Sequence, residues 1–220
     1  MKPQELINRL NNSALKEEFT VLYGADADVL YAQRQRYIRA IKRFTEMFPE
    51  RDNIHLFSAP GRSEIGGNHT DHQHGCALAA AVNLDAVAVV AFHNEGVIRL
   101  MSEGHGMSEV DLSDLSVQET EKGTSVALIR GIASRFTEKG ASIGGFDAYS
   151  VSDVLSGSGL SSSAAFETLV GTIIDKHYND GKAGEIEIAR IVQYAENVYF
   201  GKGSGLLDQM ICSVGGIRIL

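Results

Sequence analysis

The chain has 220 residues, of which 44% are hydrophobic and 22% are charged, with 23 glycines and 3 prolines. This composition is typical of a folded protein and excludes intrinsic disorder, a collagen and a coiled-coil rod as the main class. The formal net charge of -8 argues against general binding to nucleic acid or to an anionic membrane. It still allows a phosphate group held by a few local donors.

The cysteines and the N-terminal residues indicate the compartment. Cys76 and Cys212 lie far apart and form no CxxC pair, which argues against a secreted disulfide scaffold. The first residues lack the apolar core of a signal peptide, and no apolar run reaches the roughly 18–20 residues of a membrane span. We therefore predict a cytoplasmic enzyme or binding protein.

The first 50 residues predict helices that cover the fold without contributing to a site. Asp26 can cap a helix, because an Asp side chain accepts hydrogen bonds from the amides of a first helical turn. Apolar residues then recur near helical spacing at Leu30, Ile38, Ile41, Phe44 and Phe48.

Strands dominate the next part of the sequence. Residues 54–59 predict a strand that ends at Pro60-Gly61. Residues 61–75 predict a loop, because glycine and polar side chains are concentrated there. Three apolar segments follow, and we expect them to form an antiparallel meander or a set of hairpins: 77–82, 86–92 and 97–101.

Helices are more frequent in the second half, beyond an acidic stretch at 103–123. Residues 216–220 resemble the first half of a strand, so we expect the chain to be truncated or the N-terminal part of a longer protein. The remaining elements are a helix at 125–139 ending at Gly140, a strand at 146–151, a helix through 165–177 and a helix at 185–200.

A glycine- and serine-rich segment carries the strongest local signal. It lies between a predicted strand and a predicted helix, where free backbone amides and the helix dipole favour an anion. A serine hydroxyl there could also ligate Mg²⁺ held by phosphates. The alternatives are a serine-capped loop and, from the G-x-G spacing, a dinucleotide site; the Walker A ending is missing. The segment comprises Gly157, Ser158, Gly159, Leu160, Ser161, Ser162 and Ser163.

A second segment concentrates hydrogen-bonding side chains within residues 61–75. Such a loop could bind a polyhydroxylated ligand, could hold a metal through its histidines and Asp71, or could simply be solvated. Its spacing matches none of the standard zinc patterns. The residues concerned are Arg62, Glu64, Asn68, His69, Asp71, His72 and His74.

A third segment, residues 203–209, places Asp208 after a glycine-rich turn. This carboxylate could act as a base or stabilise charge, although an Asp in this position is more often a helix cap. Glu196, on the preceding helix, is by itself typical of a solvated carboxylate. Together with the serine-rich segment, the two acids form a set suited to phosphoryl transfer.

In combination, the three segments resemble the GHMP kinase superfamily and, within it, the galactokinases. Residues 61–71 are similar to a signature of the form G-R-x-x-x-I-G-E-H-T-D. Here Ile65 and Gly66 stand one place early, and Asn68 replaces the usual Glu. That position faces a sugar hydroxyl in the family. An amide also donates and accepts hydrogen bonds, but the negative charge is lost.

The other two segments extend the resemblance to about residue 212. Gly159–Ala165 is similar to the second motif of the superfamily. Ala195-Glu196-Asn197 through Gly205-Leu-Leu-Asp208-Gln209 is similar to the galactokinase segment that supplies two acidic residues.

The resemblance implies an α+β fold like the second domain of ribosomal protein S5, with a mixed sheet packed on helices. It implies a helical N-terminal extension over residues 1–50 and the GHMP kinase N-terminal domain, which binds substrate and phosphate, over residues 51–220. The C-terminal GHMP domain would then be absent from this chain.

It also implies roles for individual residues. Asp208 and Arg62 would be catalytic, and Ser162 and Glu196 would hold Mg²⁺. The ATP phosphates would be bound by Gly157, Ser158, Gly159, Leu160, Ser161, Ser162 and Ser163. The sugar would be bound by Asn68, His69, Asp71 and Gly205.

The expected function is therefore transfer of a phosphate from ATP to the anomeric hydroxyl of galactose. Without its second lobe the chain could hold most of this chemistry and yet be inactive. Kinases for N-acetylgalactosamine or arabinose are alternatives within the superfamily. A non-catalytic galactose and ATP sensor is an alternative from another class, against which the retained Arg62, Glu196 and Asp208 argue.

Overall fold

The structure is a computed structural model that describes residues 1–67 and 75–219. A single-turn 3₁₀ helix covers Glu119–Glu121, and a π-helical segment, Ala195–Phe200, continues directly from helix α6. The α-helices are α1 (Pro3–Asn11), α2 (Lys16–Tyr23), α3 (Ala27–Met47), α4 (Ser125–Glu138), α5 (Ser162–Tyr178), α6 (Gly184–Tyr194) and α7 (Leu207–Val214). The strands are β1 (His55–Gly66), β2 (Leu78–His93), β3 (Val97–Ser102), β4 (Met107–Asp111), β5 (Gly145–Ser152) and β6 (Ile217–Ile219).

In the described part of the chain these strands form one mixed sheet in the order β1-β2-β5-β3-β4, with β6 paired to the start of β2. The pairs β1–β2, β2–β5, β2–β6 and β3–β4 are antiparallel, whereas β3 and β5 are parallel. The predicted α+β class, a mixed sheet packed on helices, is confirmed, and so is the strand predicted near residue 217.

The predicted meander is wrong in two respects. The sequence predicts two strands within residues 77–92, but β2 is continuous and passes through Asp85. Asp85 is 4% exposed because its carboxylate accepts hydrogen bonds from Tyr23, Ser58 and Arg36. Asp85 resembles a turn residue in the sequence, but in the structure it is a buried acceptor of several hydrogen bonds. Moreover, β3 lies between β5 and β4 and not next to β2.

The predicted end of the first strand at Pro60-Gly61 is also wrong, since β1 continues to Gly66. The pairing with β2 shifts register between Pro60 and Arg62, and again between Glu64 and Gly66. Proline is tolerated at such an irregularity on an outer strand, because no regular ladder hydrogen bond from its nitrogen is required. Residues 61–66 are thus strand and not loop.

Helices cover both faces of the sheet, because the side chains of β2 alternate between two apolar clusters. Ala86, Ala88 and Val90 join the cluster formed with helices α4 to α6, and Cys212 of α7 belongs to it. Val87 and Val89 join the cluster formed with helices α1 to α3. The alternation is the period of two expected of an extended strand.

The helical prediction for the N-terminal part is confirmed. The Asp26 carboxylate accepts hydrogen bonds from the amides of Asp28 and Val29, each at 3.0 Å, and so caps α3. Ile41 and Phe44 are fully buried against the sheet. The division of the chain at residue 50 into an extension and a domain stays a prediction.

The helices predicted at 125–139, 165–177 and 185–200 are also confirmed, although the last of them changes to π-helical geometry after Tyr194. Over residues 1–67 and 75–219, no helix has the length and apolar character needed to cross a bilayer.

Candidate active site

The site begins where strand β1 packs against the serine-rich loop. The amide of Arg62 donates a hydrogen bond to the carbonyl of Leu160 at 3.0 Å. A Cβ atom at Gly61 would stand 2.9 Å from the same carbonyl oxygen and 3.0 Å from Val154. Only glycine allows this close approach, which brings the side chain of the next residue, Arg62, to the loop.

Arg62 and Asp208 form an ion pair at this junction. Arg62 is 5% exposed, and its Nε lies 2.6 Å from Oδ1 of Asp208. Its Nη1 donates to the carbonyl of Gly159 at 2.6 Å. Asp208 stands in the first turn of α7, and its Oδ2 accepts a hydrogen bond from the hydroxyl of Ser161. The structure thus brings together the two predicted catalytic residues and one predicted phosphate-binding serine.

The serine-rich loop leaves the start of α5 open to an anion. Gly157 and Gly159 have φ angles of 77° and 76°, in the left-handed region that favours glycine, and both residues are exposed. Ser161 also has a positive φ, 56°, and precedes the first residue of α5, Ser162. Its hydroxyl does not cap the helix, because it points to Asp208. The capping role that the sequence allows for this loop is therefore not used by Ser161.

Glu196 marks a second, buried part of the site. It belongs to the π-helical segment and is 2% exposed. Its Oε1 lies 3.0 Å from Nζ of Lys202, and its Oε2 accepts a hydrogen bond from Nε2 of Gln209 at 2.6 Å. Gln209 directly follows Asp208 on α7, so adjacent residues of this helix carry Asp208 and the donor to Glu196. Single-turn π-helices occur frequently at functional sites.

Glu167, on α5, is a buried acid that the sequence analysis missed. Its side chain is fully buried, and within the described residues neither carboxylate oxygen has a hydrogen-bond partner. Burial raises the pKa of Glu167 well above its ordinary value, and the negative charge of Glu196 raises it further. Helical spacing alone could have drawn attention to it, since Glu167 follows Ser163 by four residues and shares its face.

Gln209 and Lys202 were also missed, because their role depends on where Glu196 lies. The turn that carries Lys202 is held by Asn197, whose Oδ1 accepts a hydrogen bond from the amide of Ser204 at 2.7 Å. This contact fixes the half-buried Gly205 at the entrance to α7.

The predicted sugar-binding residues Asn68, His69 and Asp71 lie outside the described residues, as do His72 and His74. Elsewhere, in residues 1–67 and 75–219, no three His, Cys, Asp or Glu side chains lie close enough together to hold a metal ion. Any cation bound at Glu196 would need other ligands, such as the Ser162 hydroxyl, phosphate oxygens or water.

The described geometry is suited to binding and transferring an anionic group. The uncapped start of a helix, a buried guanidinium and a carboxylate lie together, and a second, buried carboxylate is hydrogen-bonded to Gln209, the residue after Asp208. These are the elements of phosphoryl transfer, which depends mainly on positioning and electrostatic stabilisation.

Comparisons with known proteins agree with this geometry. Residues 42–92 match the family model described as the galactokinase galactose-binding signature, and residues 127–216 match the GHMP kinases N terminal domain. The chain is 30% identical over 176 residues to a galactokinase of Bacillus subtilis, and 30% identical over 210 residues to a galactokinase of Streptococcus thermophilus. These alignments include 78% and 94% of this chain, but only 44% and 47% of the relatives.

Solved structures show the same similarity. The galactokinase of Lactococcus lactis, crystallised with galactose, superposes with a TM-score of 0.71 at 25% identity, over 81% of this chain and 50% of that chain. The mevalonate kinase of Methanococcus jannaschii shares the fold, with a TM-score of 0.64 at 17% identity over 76% of this chain and 53% of that one. The chain spans about half the length of the curated relatives it matches.

Fold, site and comparisons together point to one class, the GHMP kinase superfamily: residues 127–216 match the model of its N-terminal domain, and the structure superposes on that of a galactokinase. Within that superfamily its similarity is to galactokinases, over the N-terminal part of their length.

Proposed function

We propose that the protein is a sugar kinase that transfers the γ-phosphate of ATP to the anomeric hydroxyl of galactose. The observation that carries the proposal is the Arg62–Asp208 ion pair, at 2.6 Å, beside the uncapped start of α5. The match to the galactose-binding signature supports galactose as the sugar.

Asp208 is the group that accepts or orients the proton of the sugar hydroxyl. Its two oxygens accept hydrogen bonds from Arg62 and from Ser161. A carboxylate oxygen accepts more than one hydrogen bond, so a substrate hydroxyl can join these contacts. Arg62 stabilises the negative charge that develops as the phosphoryl group passes between the two oxygens. Its contact with the carbonyl of Gly159 holds the guanidinium in place.

The ATP phosphates bind at residues 157–163, where glycines in the left-handed region bring backbone amides close to an anion. The donor set also fits magnesium, because Glu196 is a buried carboxylate whose Oε1 is already paired with a cation, the ammonium of Lys202. Ser162 and Glu196 would hold the metal, which would neutralise charge on the phosphates.

The sugar is bound by Asn68, His69, Asp71 and the backbone at Gly205.

The chain has two parts in this proposal. Residues 1–50 are an extension that covers the sheet, and residues 51–220 are the substrate- and phosphate-binding domain of a longer kinase. We further propose that the protein acts in the cytoplasm.

Asn68 raises one alternative function, that of a kinase for another sugar. The galactokinase signature has Glu there, and an amide recognises a neighbouring hydroxyl without a charge. Mg·ATP-dependent ADP release should therefore be measured with galactose, N-acetylgalactosamine and arabinose. The proposal expects the highest kcat/KM with galactose; a preference for either of the other sugars would contradict that substrate.

A further inference from the structure

The surroundings of Glu196 contain a feature that the proposed reaction does not yet use. The side chain of Glu196 is 3% exposed, and its two oxygens have different partners. Gln209, which is 1% exposed, donates to Oε2 from the protein interior. Lys202 reaches Oε1 from the surface, and its own side chain is 59% exposed. One contact is fixed by packing and the other is open to solvent.

The backbone of Lys202 is anchored while its side chain is free to move. The amides of Gly201 and Lys202 donate to the carbonyl of Glu196 at 3.0 Å and 3.1 Å. Gly201 has a φ of 85°, and Gly203 follows on the other side. The stem of a lysine side chain is flexible, so this ammonium can leave the carboxylate without any change in the turn.

The ammonium lies against Glu196, and the charge of Asp208 also acts on it. Its Nζ is 3.0 Å from Oε1 of Glu196, and Asp208 directly precedes Gln209, the donor to the other oxygen of Glu196. A divalent cation at Glu196 would encounter the same two acids. The ammonium therefore occupies the position to which the site attracts a cation.

We propose that Lys202 is the counter-ion of Glu196 in the metal-free protein, and that a divalent cation must displace it from Oε1. This inference rests on the metal role of Glu196 in the proposed function. It predicts that the lysine keeps the buried carboxylate paired until Mg·ATP arrives, which lowers the affinity of the empty site for free metal.

The test is Mn²⁺ binding to the purified chain without nucleotide, measured by the EPR signal of free Mn²⁺ at constant ionic strength. Lys202→Met removes the charge and keeps an unbranched side chain of similar length. Lys182→Met is the matched control, because Lys182 is 78% exposed and pairs only with the exposed Asp180 among the described residues. Thermal melting and circular dichroism verify that each variant is folded.

We expect Lys202→Met to bind Mn²⁺ roughly three- to tenfold more tightly than the parent chain, whereas Lys182→Met stays within about twofold. Lys202→Arg keeps the charge and should bind no more tightly than the parent. In a Glu196→Gln background, adding Lys202→Met should no longer change the affinity, because the shared carboxylate is gone.

Equal Mn²⁺ affinity of Lys202→Met and Lys182→Met would overturn the inference, and so would weaker binding by Lys202→Met. Unchanged binding by a folded Glu196→Gln would overturn it together with the metal role of Glu196. None of these results depends on sugar or on ADP release, so the proposed kinase activity is judged separately.

Discussion

At the scale of single residues, the arrangement around Asp208 explains why arginine and not lysine stands at position 62. The guanidinium uses Nε for the carboxylate of Asp208 and Nη1 for the carbonyl of Gly159, each at 2.6 Å. These two contacts fix both its position and its plane. A single ammonium cannot reproduce this fork, because it presents its donors from one point.

Arg62→Lys is therefore expected to lower kcat by on the order of 100-fold, with a smaller change in KM for galactose, because in the proposed reaction the lost interaction stabilises charge in the transition state. Steady-state kinetics measure both quantities. Arg43→Lys is the control, since Arg43 is 60% exposed and pairs with the exposed Glu46. Turnover of Arg62→Lys within about twofold of the parent would remove Arg62 from the catalytic role.

At the scale of elements, the site is built where β1, α5, α7 and the π-helical segment meet. The other end of the same β1–α5 contact carries two histidines. His55 of β1 lies with its ring centroid 6.1 Å from that of His177 on α5. The ring of His177 stacks on Phe92 at 3.4 Å, almost parallel. Two imidazolium charges are unfavourable in this arrangement.

Partial removal from water lowers the pKa of His55, and the charges of the N-terminus and of His177 lower it further; partial removal from water also lowers the pKa of His177. The pKa of a histidine in the unfolded chain is near 6.5. On acidification the unfolded chain therefore takes up protons before the folded protein does. The stabilisation that the two neutral histidines provide is thus complete above pH 6.5. It is lost as the pH falls through their lower pKa values in the folded protein.

His177→Gln should accordingly lose less stability than the parent between about pH 7 and about pH 5, because one of the two protonation penalties is removed. Urea denaturation across this range measures the difference. His105→Gln is the matched variant, because among the described residues His105 makes no ring contact of the kind that His177 makes with His55 and Phe92. If both variants show the same dependence on pH, the histidine contact does not contribute.

At the scale of the whole molecule, the N-terminal helices are joined to the sheet by a buried polar centre. Arg36 of α3 pairs with Asp85 of β2 and with Asp153 after β5. Tyr23 of α2 donates to Asp85 at 2.7 Å. Burial raises the pKa of Tyr23, and Tyr37 and Asp85 raise it further, so its hydroxyl remains a donor. The N-terminal helices are thus attached by polar contacts as well as by apolar packing.

Asp85→Ala should reduce the free energy of unfolding by about 3–5 kcal/mol, because it leaves the buried guanidinium of Arg36 without its main partner. Urea denaturation gives the value. Asp180→Asn, which removes an exposed ion pair with Lys182 and suits the left-handed backbone at that residue, should change stability by less than about 1 kcal/mol. Similar losses in the two variants would show that the buried centre is not needed for stability.

Local patterns predicted much of this fold, and long-range contacts account for what was missed. The cap at Asp26 and the helix after Thr124 depend on neighbouring residues only, so their sequence signals were sufficient. Asp85 resembles a turn residue because its partners come from distant parts of the chain. The parallel pairing of β3 with β5 likewise has no local signal.

The candidate site shows the same difference between local sequence signals and long-range contacts. The resemblance to galactokinases indicated Arg62 and Asp208, which are 146 residues apart in sequence and joined in space. The roles of Gln209 and Lys202 follow from the packing of α7 against the π-helical segment, and no pattern in one sequence records that packing. The acids Glu196 and Asp208 were thus predictable, whereas the residues that hold Glu196 were not.

The proposed role of Asp208 and its partners is to promote transfer of the γ-phosphate of ATP to galactose. Release of ADP from Mg·ATP by the purified chain, with and without galactose, tests it most directly. We expect galactose-dependent release that falls by about 100-fold or more in Asp208→Asn, which keeps the shape and removes the charge, while Asp180→Asn behaves as the parent. Galactose-independent release, or release by a folded Asp208→Asn at the parental rate, would contradict the account.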